Sequence, residues 1–420
     1  MINRVKGTQD LLDLALFNYL GEKVKKQFEI YNFTEISTPI LEPLDLYVRS
    51  LGEETDVIKK EMYLVKGDTK ESGSSEEVIC LRPEGTASTV RAFVENNIIN
   101  TPWKVFSIGP MFRHERPQKG RYRQFHQINI EIIGSKAIEQ DVQLIKMLDR
   151  LFFETLAIES YALLINFLGC IEDRKKFKLI LSTFLESKIA TICSTCKVRK
   201  DKNSMRIFDC KNDSCTALYQ EAPAIVDCLC DGCKLEWQSI LDNLEHLSVS
   251  YSIKKTLVRG LDYYSKTVFE FVSPDLGAQN AFCGGGRYDQ LALEIGAKED
   301  QPSVGAAIGI ERLMLVLDAA KDRLLMPQKM PLYIIMPMAK EQHALALLLA
   351  DELQAQKLCC DILLEDDSVK SKMRKANKMG AKFVIIVGED EQRNRMVTLK
   401  NMITGSEEKI AQSTLVAYLK

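Results

Sequence analysis

The chain has 420 residues, 46% of them hydrophobic and 27% charged, with a formal net charge of −2. That apolar content suffices for two or three packed domains and excludes a disordered or low-complexity chain. A charge this near zero excludes a globally basic nucleic-acid binder, so any such contact must rest on local basic patches. No run of eighteen apolar residues occurs, and the start MINRVKGTQDLL lacks the apolar segment of a signal peptide. A cytoplasmic location without membrane contact is therefore expected.

Residues 16–31 carry a long helical pattern, followed by a strand ending at Pro39. Strands around Val78, Lys104 and Ile128 suit a largely antiparallel sheet within residues 1–169. Residues 112–131, FRHERPQKGRYRQFHQINIE, read as strand, loop and strand. Arg113 and Glu115 would share a face of the first strand, and Arg121, Arg123 and Phe125 would alternate on the second, beyond a turn at Gly120. Guanidinium groups beside a planar ring suit a purine and its phosphates. Gln127 and Glu131 lie four apart and share a strand face.

Residues 173–192 and 235–247 read as helices on either side of a cysteine-rich patch, which makes 171–247 a helical insertion. Strands resume at 249–258 and 267–271. GAAIGIERLMLVL, residues 305–317, reads as a strand running into a helix with Arg312 in its first turn, where the helix dipole adds positive charge. MPQKMP, residues 326–331, is a linker by its two prolines. Beyond it, strands at 332–336, 359–364 and 383–387 alternate with helices at 339–357 and 369–379. A strand near 396–402 and a last helix complete an α/β domain over 332–420. Lys370, Lys372, Arg374, Lys375, Lys378 and Lys382 form one basic patch and residues 197–211 another.

Seven of the twelve cysteines fall between Cys193 and Cys233. Cys193 with Cys196 and Cys230 with Cys233 make two CxxC pairs, and Cys210 with Cys215 a looser one between them. The two CxxC pairs can supply four thiolates at tetrahedral spacing for a structural Zn2+, and reduced free thiols fit the same pattern.

The 112–131 and 305–317 stretches resemble motifs 2 and 3 of the class II aminoacyl-tRNA synthetases, and residues 16–39 resemble motif 1, which in that family builds a homodimer interface. LRPEGTAS from Leu81, LVRGLDYYSKTVFEF from Leu257, GGGRYD from Gly284 and the early GTQD at Gly7 narrow the resemblance to the histidyl-tRNA synthetase family, over essentially the whole chain. It implies an α+β class II catalytic domain, antiparallel sheet with helices, over 1–325, interrupted by the insertion. An α/β anticodon-binding domain would follow over 332–420. The implied substrates are L-histidine, ATP with Mg2+, and the tRNA for histidine.

The resemblance makes Arg259 and Arg113 catalytic at the α-phosphate and places both in the histidine site. Glu115 would read the adenine amine, Phe125 would stack on the ring, and Arg121 and Arg312 would hold the outer phosphates. Glu84, Gly85, Thr86 and Gln127 match the α-amino site, Glu131 and Tyr264 the imidazole site, and Tyr263 and Tyr288 the pocket lining. Arg116 and Gln118 would meet the tRNA acceptor end. The rival with the same fold is the histidine-sensing regulatory subunit of ATP phosphoribosyltransferase. It typically lacks the C-terminal domain and the block around Arg259, both of which this chain has.

Overall fold

Within residues 124–133, QFHQINIEII, positions 127–132 alternate polar and apolar side chains, and the segment forms a central strand of the first unit. The computed structural model describes residues 2–53, 55–66, 78–277, 280–318, 323–324 and 326–420. It falls into two units, Met1–Met326 and Pro327–Lys420. The domain end expected at residue 325 lies outside the described residues.

The strands of the first unit are β1 (Thr34–Glu35), β2 (Leu41–Pro43), β3 (Tyr63–Val65), β4 (Ile79–Leu81), β5 (Trp103–Phe112), β6 (Gln124–Ile133), β7 (Ala162–Phe167), β8 (Ser252–Ile253), β9 (Ser265–Val272), β10 (Ala281–Arg287) and β11 (Ser303–Gly309). Eight form one sheet in the order β1-β5-β6-β11-β10-β9-β7-β8, and β2-β4-β3 form a small second sheet. From β5 to β7 every pairing is antiparallel, while β1 and β8 add parallel edges.

Because side chains alternate across a strand, one face of β6 is apolar and the other polar. Ile128, Ile130 and Ile132 enter a core with Phe28 of helix Ala15–Ile30, Leu148 of helix Glu139–Arg150, and Phe269 and Phe271 of β9. Gln127, Asn129 and Glu131 take the opposite face. Five of their six cross-strand partners are small, Gly109 and Ser107 on β5 and Gly309, Ala307 and Gly305 on β11, while Val105 on β5 stands beside Glu131. The row of polar side chains thus meets little bulk from the β11 side.

Several local expectations change. The ladder of the 112–131 hairpin ends at Phe112 and Gln124, so Arg113, Glu115, Arg121 and Arg123 lie in the loop and not on the strands. One further bond joins Arg113 N–H to Arg123 O at 2.9 Å, after which Arg123 donates its own N–H to Gly7 at 2.7 Å. The GTQD segment thereby replaces the ladder, and a Cβ on Gly7, at φ +91°, would lie 2.8 Å from Pro117. The strand expected over 249–258 shrinks to the two residues of β8.

The helical stretch includes Ile171–Ser187, Ser194–Lys202, Asp213–Leu218 and Asp231–His246. Phe177, Leu181, Leu185, Ile192 and Ile207 share one core cluster with Leu257, Tyr263 and Tyr264, so this segment packs on the wall that carries the tyrosines. Its basic residues are largely engaged within the chain: Arg206 bridges Asp262 at 2.9 Å and Arg199 bridges Asp56 at 3.4 Å.

The cysteine expectation fails in its pairing. Cys193 and Cys196 do not meet Cys230 and Cys233. The sulfurs of Cys193, Cys196, Cys210 and Cys215 form one cluster, and those of Cys170, Cys230 and Cys233 form another with the Asp173 carboxylate. Each CxxC opens a different helix, Ser194–Lys202 or Asp231–His246, and each helix start packs on its own neighbour.

In the second unit β12 (Leu332–Pro337), β13 (Cys359–Ile362), β14 (Ala381–Val387), β15 (Met396–Asn401) and β16 (Glu407–Ala411) form a sheet ordered β13-β12-β14-β15-β16. The first three are parallel, as the alternation of strands and helices predicts, and β14-β15-β16 are antiparallel. β16 was hidden because its EEKIA reads as polar chain and shows only Ile410 to the core. Of the basic patch, Lys372 is withdrawn: it is buried, and its Nζ donates to Pro337 O at 2.8 Å.

Candidate active site

The polar face of β6 carries the centre of the candidate site. Glu131 is buried, and Tyr288 donates its hydroxyl to Oε2, while Oε1 has no partner. Burial pushes the Glu131 carboxyl up to about 8, against the lowering pull of the Tyr288 and Thr86 hydroxyls. Gln127 Oε1 and both amide atoms of Asn129 are also buried and unpaired. Unpaired buried polar atoms are rare, since each loses its hydration without compensation. Here they line up along one strand face.

Glycine makes the row possible. Gly305 lies opposite Glu131, and a Cβ there would overlap the carboxylate. A Cβ on Gly85 would stand 2.5 Å from the Asn129 amide. Gly85 precedes helix Thr86–Glu95, and the Glu84 carboxylate turns back over that helix start, accepting from Thr86 N–H at 2.7 Å and Ala87 N–H at 2.8 Å. This satisfies two of the free donors of the first turn and fixes Glu84 at the pocket. Burial still raises its pKa, because the backbone bonds only partly offset desolvation.

Three tyrosines complete the wall. The rings of Tyr263 and Tyr264 are 4.6 Å apart and those of Tyr263 and Tyr288 5.6 Å, and Tyr263 OH reaches Glu84 Oε2 at 3.5 Å. Arg259 lies 5.7 Å over the Tyr264 ring and pairs with Glu270 on β9. Its guanidinium fills the space above Gly284, where a Cβ would come within 2.5 Å. Burial alone would weaken the charge of Arg259, but the Glu270 carboxylate beside it raises the pKa and keeps it a cation. Arg259 Nε remains buried and unpaired.

A second group of cations stands at the hairpin. Arg113 donates Nε to Pro83 O at 2.8 Å and lies 5.5 Å over the Phe125 ring. Arg121 pairs with Glu115 at 2.5 Å. Arg312, in the first turn of helix Ile310–Asp318, donates Nε to Gly120 O at 3.2 Å and Nη1 to Ala281 O. Burial first, and then the neighbouring Arg121 charge, lower its pKa, and the Glu115 and Glu270 carboxylates offset this only in part. Arg116 and Gln118 are exposed at the loop tip, which a bridge between Gln118 and Arg121 closes.

The predicted residues therefore fall into two joined sets. Glu84, Gly85, Thr86, Gln127, Glu131, Arg259, Tyr263, Tyr264 and Tyr288 surround the polar floor, and Arg113, Glu115, Arg121, Phe125 and Arg312 gather at the hairpin. Sequence reasoning missed Asn129 and Glu270. Asn129 could have been found by extending the alternation of Gln127 and Glu131 to the residue between them. Glu270 is the lone acid in the apolar run TVFEF and faces Gly284 across the β9–β10 ladder. His126 faces away from this site: its Nδ1 lies 2.9 Å from Glu311 and its ring is edge-on to Phe17.

A family model, the tRNA synthetase class II core domain (G, H, P, S and T), matches residues 63–320, and an anticodon binding domain model matches residues 333–420. The fold is that of the class II tRNA synthetases, and the chain belongs to that class. The histidine–tRNA ligase of Clostridioides difficile is 38% identical over 99% of this chain and 98% of its own length. That of Thermodesulfovibrio yellowstonii is 40% identical over 99% and 97%. The crystal structure of apo histidyl-tRNA synthetase from S. aureus superposes with a TM-score of 0.79 at 31% identity, covering 100% of this chain and 99% of that one. Within its class the chain belongs to the histidine–tRNA ligase family. Among the described residues no helix is long and apolar enough to cross a membrane.

Proposed function

We propose that the polar floor holds L-histidine and the hairpin holds ATP, so that the chain makes histidyl-adenylate and pyrophosphate and then passes histidine to its tRNA. Family membership carries the activity, and one observation carries the substrate's place. Gln127, Asn129 and Glu131 present unpaired buried acceptors and donors beside two carboxylates and Arg259. A polar ligand that carries both hydrogen-bond donors and acceptors suits such a row. The Glu84 carboxylate with Gln127 would accept from the ammonium. Glu131 Oε1, with Tyr264, would take the two ring nitrogens. A pocket that hydrogen-bonds a polar side chain rejects apolar analogues by about 10⁴ or more, because they leave its groups unpaired.

In the activation step the histidine carboxylate attacks the α-phosphorus, and negative charge builds on the phosphate oxygens as pyrophosphate leaves. Fixed cations stabilise that charge. Arg259 from above Gly284 and Arg113 from the hairpin would act on the α-phosphate, with Arg121 and Arg312 on the outer phosphates. Phe125 offers a face for adenine, and Glu115 an acceptor for its amine. For Arg121 and Glu115 to serve ATP, their mutual ion pair must open. Mg2+, general to the class, would be held through phosphate oxygens. Among the described residues of the pocket no three His, Cys, Asp or Glu side chains bring their ligand atoms within 4.8 Å of one another, and Glu115 and Glu270 are engaged by Arg121 and Arg259.

Exposed Arg116 and Gln118 suit contact with the tRNA acceptor end, the second unit suits the anticodon, and a cytoplasmic homodimer completes the reading. Exchange of labelled pyrophosphate into ATP, run with each amino acid in turn, tests it. Histidine alone should support exchange, and exchange with another amino acid but not with histidine would refute it.

A further inference from the structure

The geometry points to a structural zinc ion bound by Cys193, Cys196, Cys210 and Cys215, outside the catalytic pocket and with a ligand set different from the one the CxxC spacing suggests. All four sulfurs lie within 4.8 Å of one another. Tetrahedral zinc with Zn–S bonds of about 2.3 Å sets its sulfurs about 3.8 Å apart. Cys193 Sγ and Cys210 Sγ are 3.8 Å apart, far beyond a disulfide bond, and all four cysteines are free.

Backbone donors already point at the cluster, as thiolates bound to a metal require. Cys193 N–H approaches Cys215 Sγ at 3.3 Å, and Asn212 N–H approaches Cys210 Sγ at 3.4 Å. Cys196 and Cys215 are buried, and Cys193 and Cys210 are partly open, which leaves an entry path. The surrounding elements are short: a nine-residue helix, a six-residue 3₁₀ turn and a six-residue helix. Segments this small gain much of their order from a closed metal site.

The second cluster is explained without metal. Asp173 accepts from Cys230 N–H at 2.8 Å through Oδ1 and from Cys170 N–H at 3.2 Å through Oδ2. Its carboxylate joins the two chain segments itself. Burial works against its charge, but hydrogen bonds from Cys233, Cys230 and Cys170 hold its pKa below the ordinary value.

The zinc site also bears on the pocket through the chain it encloses. Between Cys196 and Cys210, Arg206 donates to Gly260 O at 2.7 Å and to Asp262 Oδ1 at 3.0 Å, and Asn203 donates to Asp262 Oδ1 at 3.1 Å. These bonds grip the loop that directly follows Arg259.

Metal analysis of protein made in zinc-supplemented medium and purified without chelator decides the matter. About one zinc per chain is expected in the unaltered protein and in Cys230→Ser, and none in Cys210→Ser. Should Cys210→Ser not fold, cobalt(II) added to the unaltered apoprotein gives a second readout. Tetrahedral thiolate ligation produces an intense sulfur-to-cobalt charge-transfer band, which Cys230→Ser should retain at full strength. Zinc-free protein after reconstitution, no thiolate band with cobalt, zinc retained in Cys210→Ser, or zinc lost in Cys230→Ser would each overturn the assignment. A second equivalent that disappears only with Cys230→Ser would overturn the metal-free reading of Asp173.

Discussion

Gly305 on β11 stands directly across from Glu131 on β6, and the carboxylate of Glu131 occupies the space where a Gly305 side chain would be. The substitution Gly305→Ala should therefore force Glu131 or the β11 backbone to move. Overpacking of this kind costs about 1–3 kcal/mol. Denaturant unfolding should show that loss, and histidine-dependent pyrophosphate exchange should fall with it. Unchanged stability together with an unchanged Michaelis constant for histidine would mean that the floor tolerates bulk.

Arg259→Ala removes a cation held ready by Glu270. Its charge matters most when the α-phosphorus is five-coordinate, so kcat should fall about 10²- to 10³-fold with little change in ATP binding. Arg259→Lys should recover only part of this, because an ammonium cannot span two phosphate oxygens as a planar guanidinium does. A normal kcat with only a raised KM would take Arg259 out of catalysis.

Glu131 links stability to pH. Its ordinary pKa is 4.5, and burial raises the folded value to about 8. Between those values the folded chain holds a proton that the unfolded chain releases. The stability contributed by that proton is full below about pH 4.5 and is lost as pH rises through about 8. Glu131→Gln cannot ionise. Its melting temperature relative to the unaltered protein should rise from about pH 5 to about pH 9, even as histidine activation fails. Thermal scans across that range check this, and a difference that stays constant with pH would contradict it.

A chain ending at Met326 keeps the whole pocket, since every residue assigned to it precedes that point and the first unit has its own core clusters. Pyrophosphate exchange should survive this truncation. Charging of tRNA should drop by about tenfold or more, which corresponds to about 1.4 kcal/mol or more of lost tRNA interaction. Equal charging by both forms would assign the second unit another task.

Most of the pocket was legible in the sequence because its residues sit in short contiguous blocks. PEGT carries Glu84, Gly85 and Thr86 on one helix start, and alternation in QINIE exposes Gln127 and Glu131 together. Asn129 and Glu270 were not read, although each lies in a block already singled out. Their meaning comes from what stands across the sheet: Gly85 opens the space for Asn129, and Gly284 opens the path from Arg259 to Glu270.

The sequence by itself determined the alternation of strands and helices in the second unit, the shared face of Gln127 and Glu131, the arginine-bearing segments and the family. These are local properties, set by side-chain period and by residue type at fixed spacing. Tertiary structure alone decided the register that places glycines opposite Glu131 and Glu270, the burial of Lys372 and the partition of the cysteines. Two CxxC pairs thirty-three residues apart look like one tetrahedral site when only spacing is counted. In the fold each opens its own helix, and each helix start closes on the segment packed beside it: Cys210 and Cys215 for one, Cys170 and Asp173 for the other. Sulfur atoms meet through packing in three dimensions, and linear spacing does not encode which segment packing brings to which.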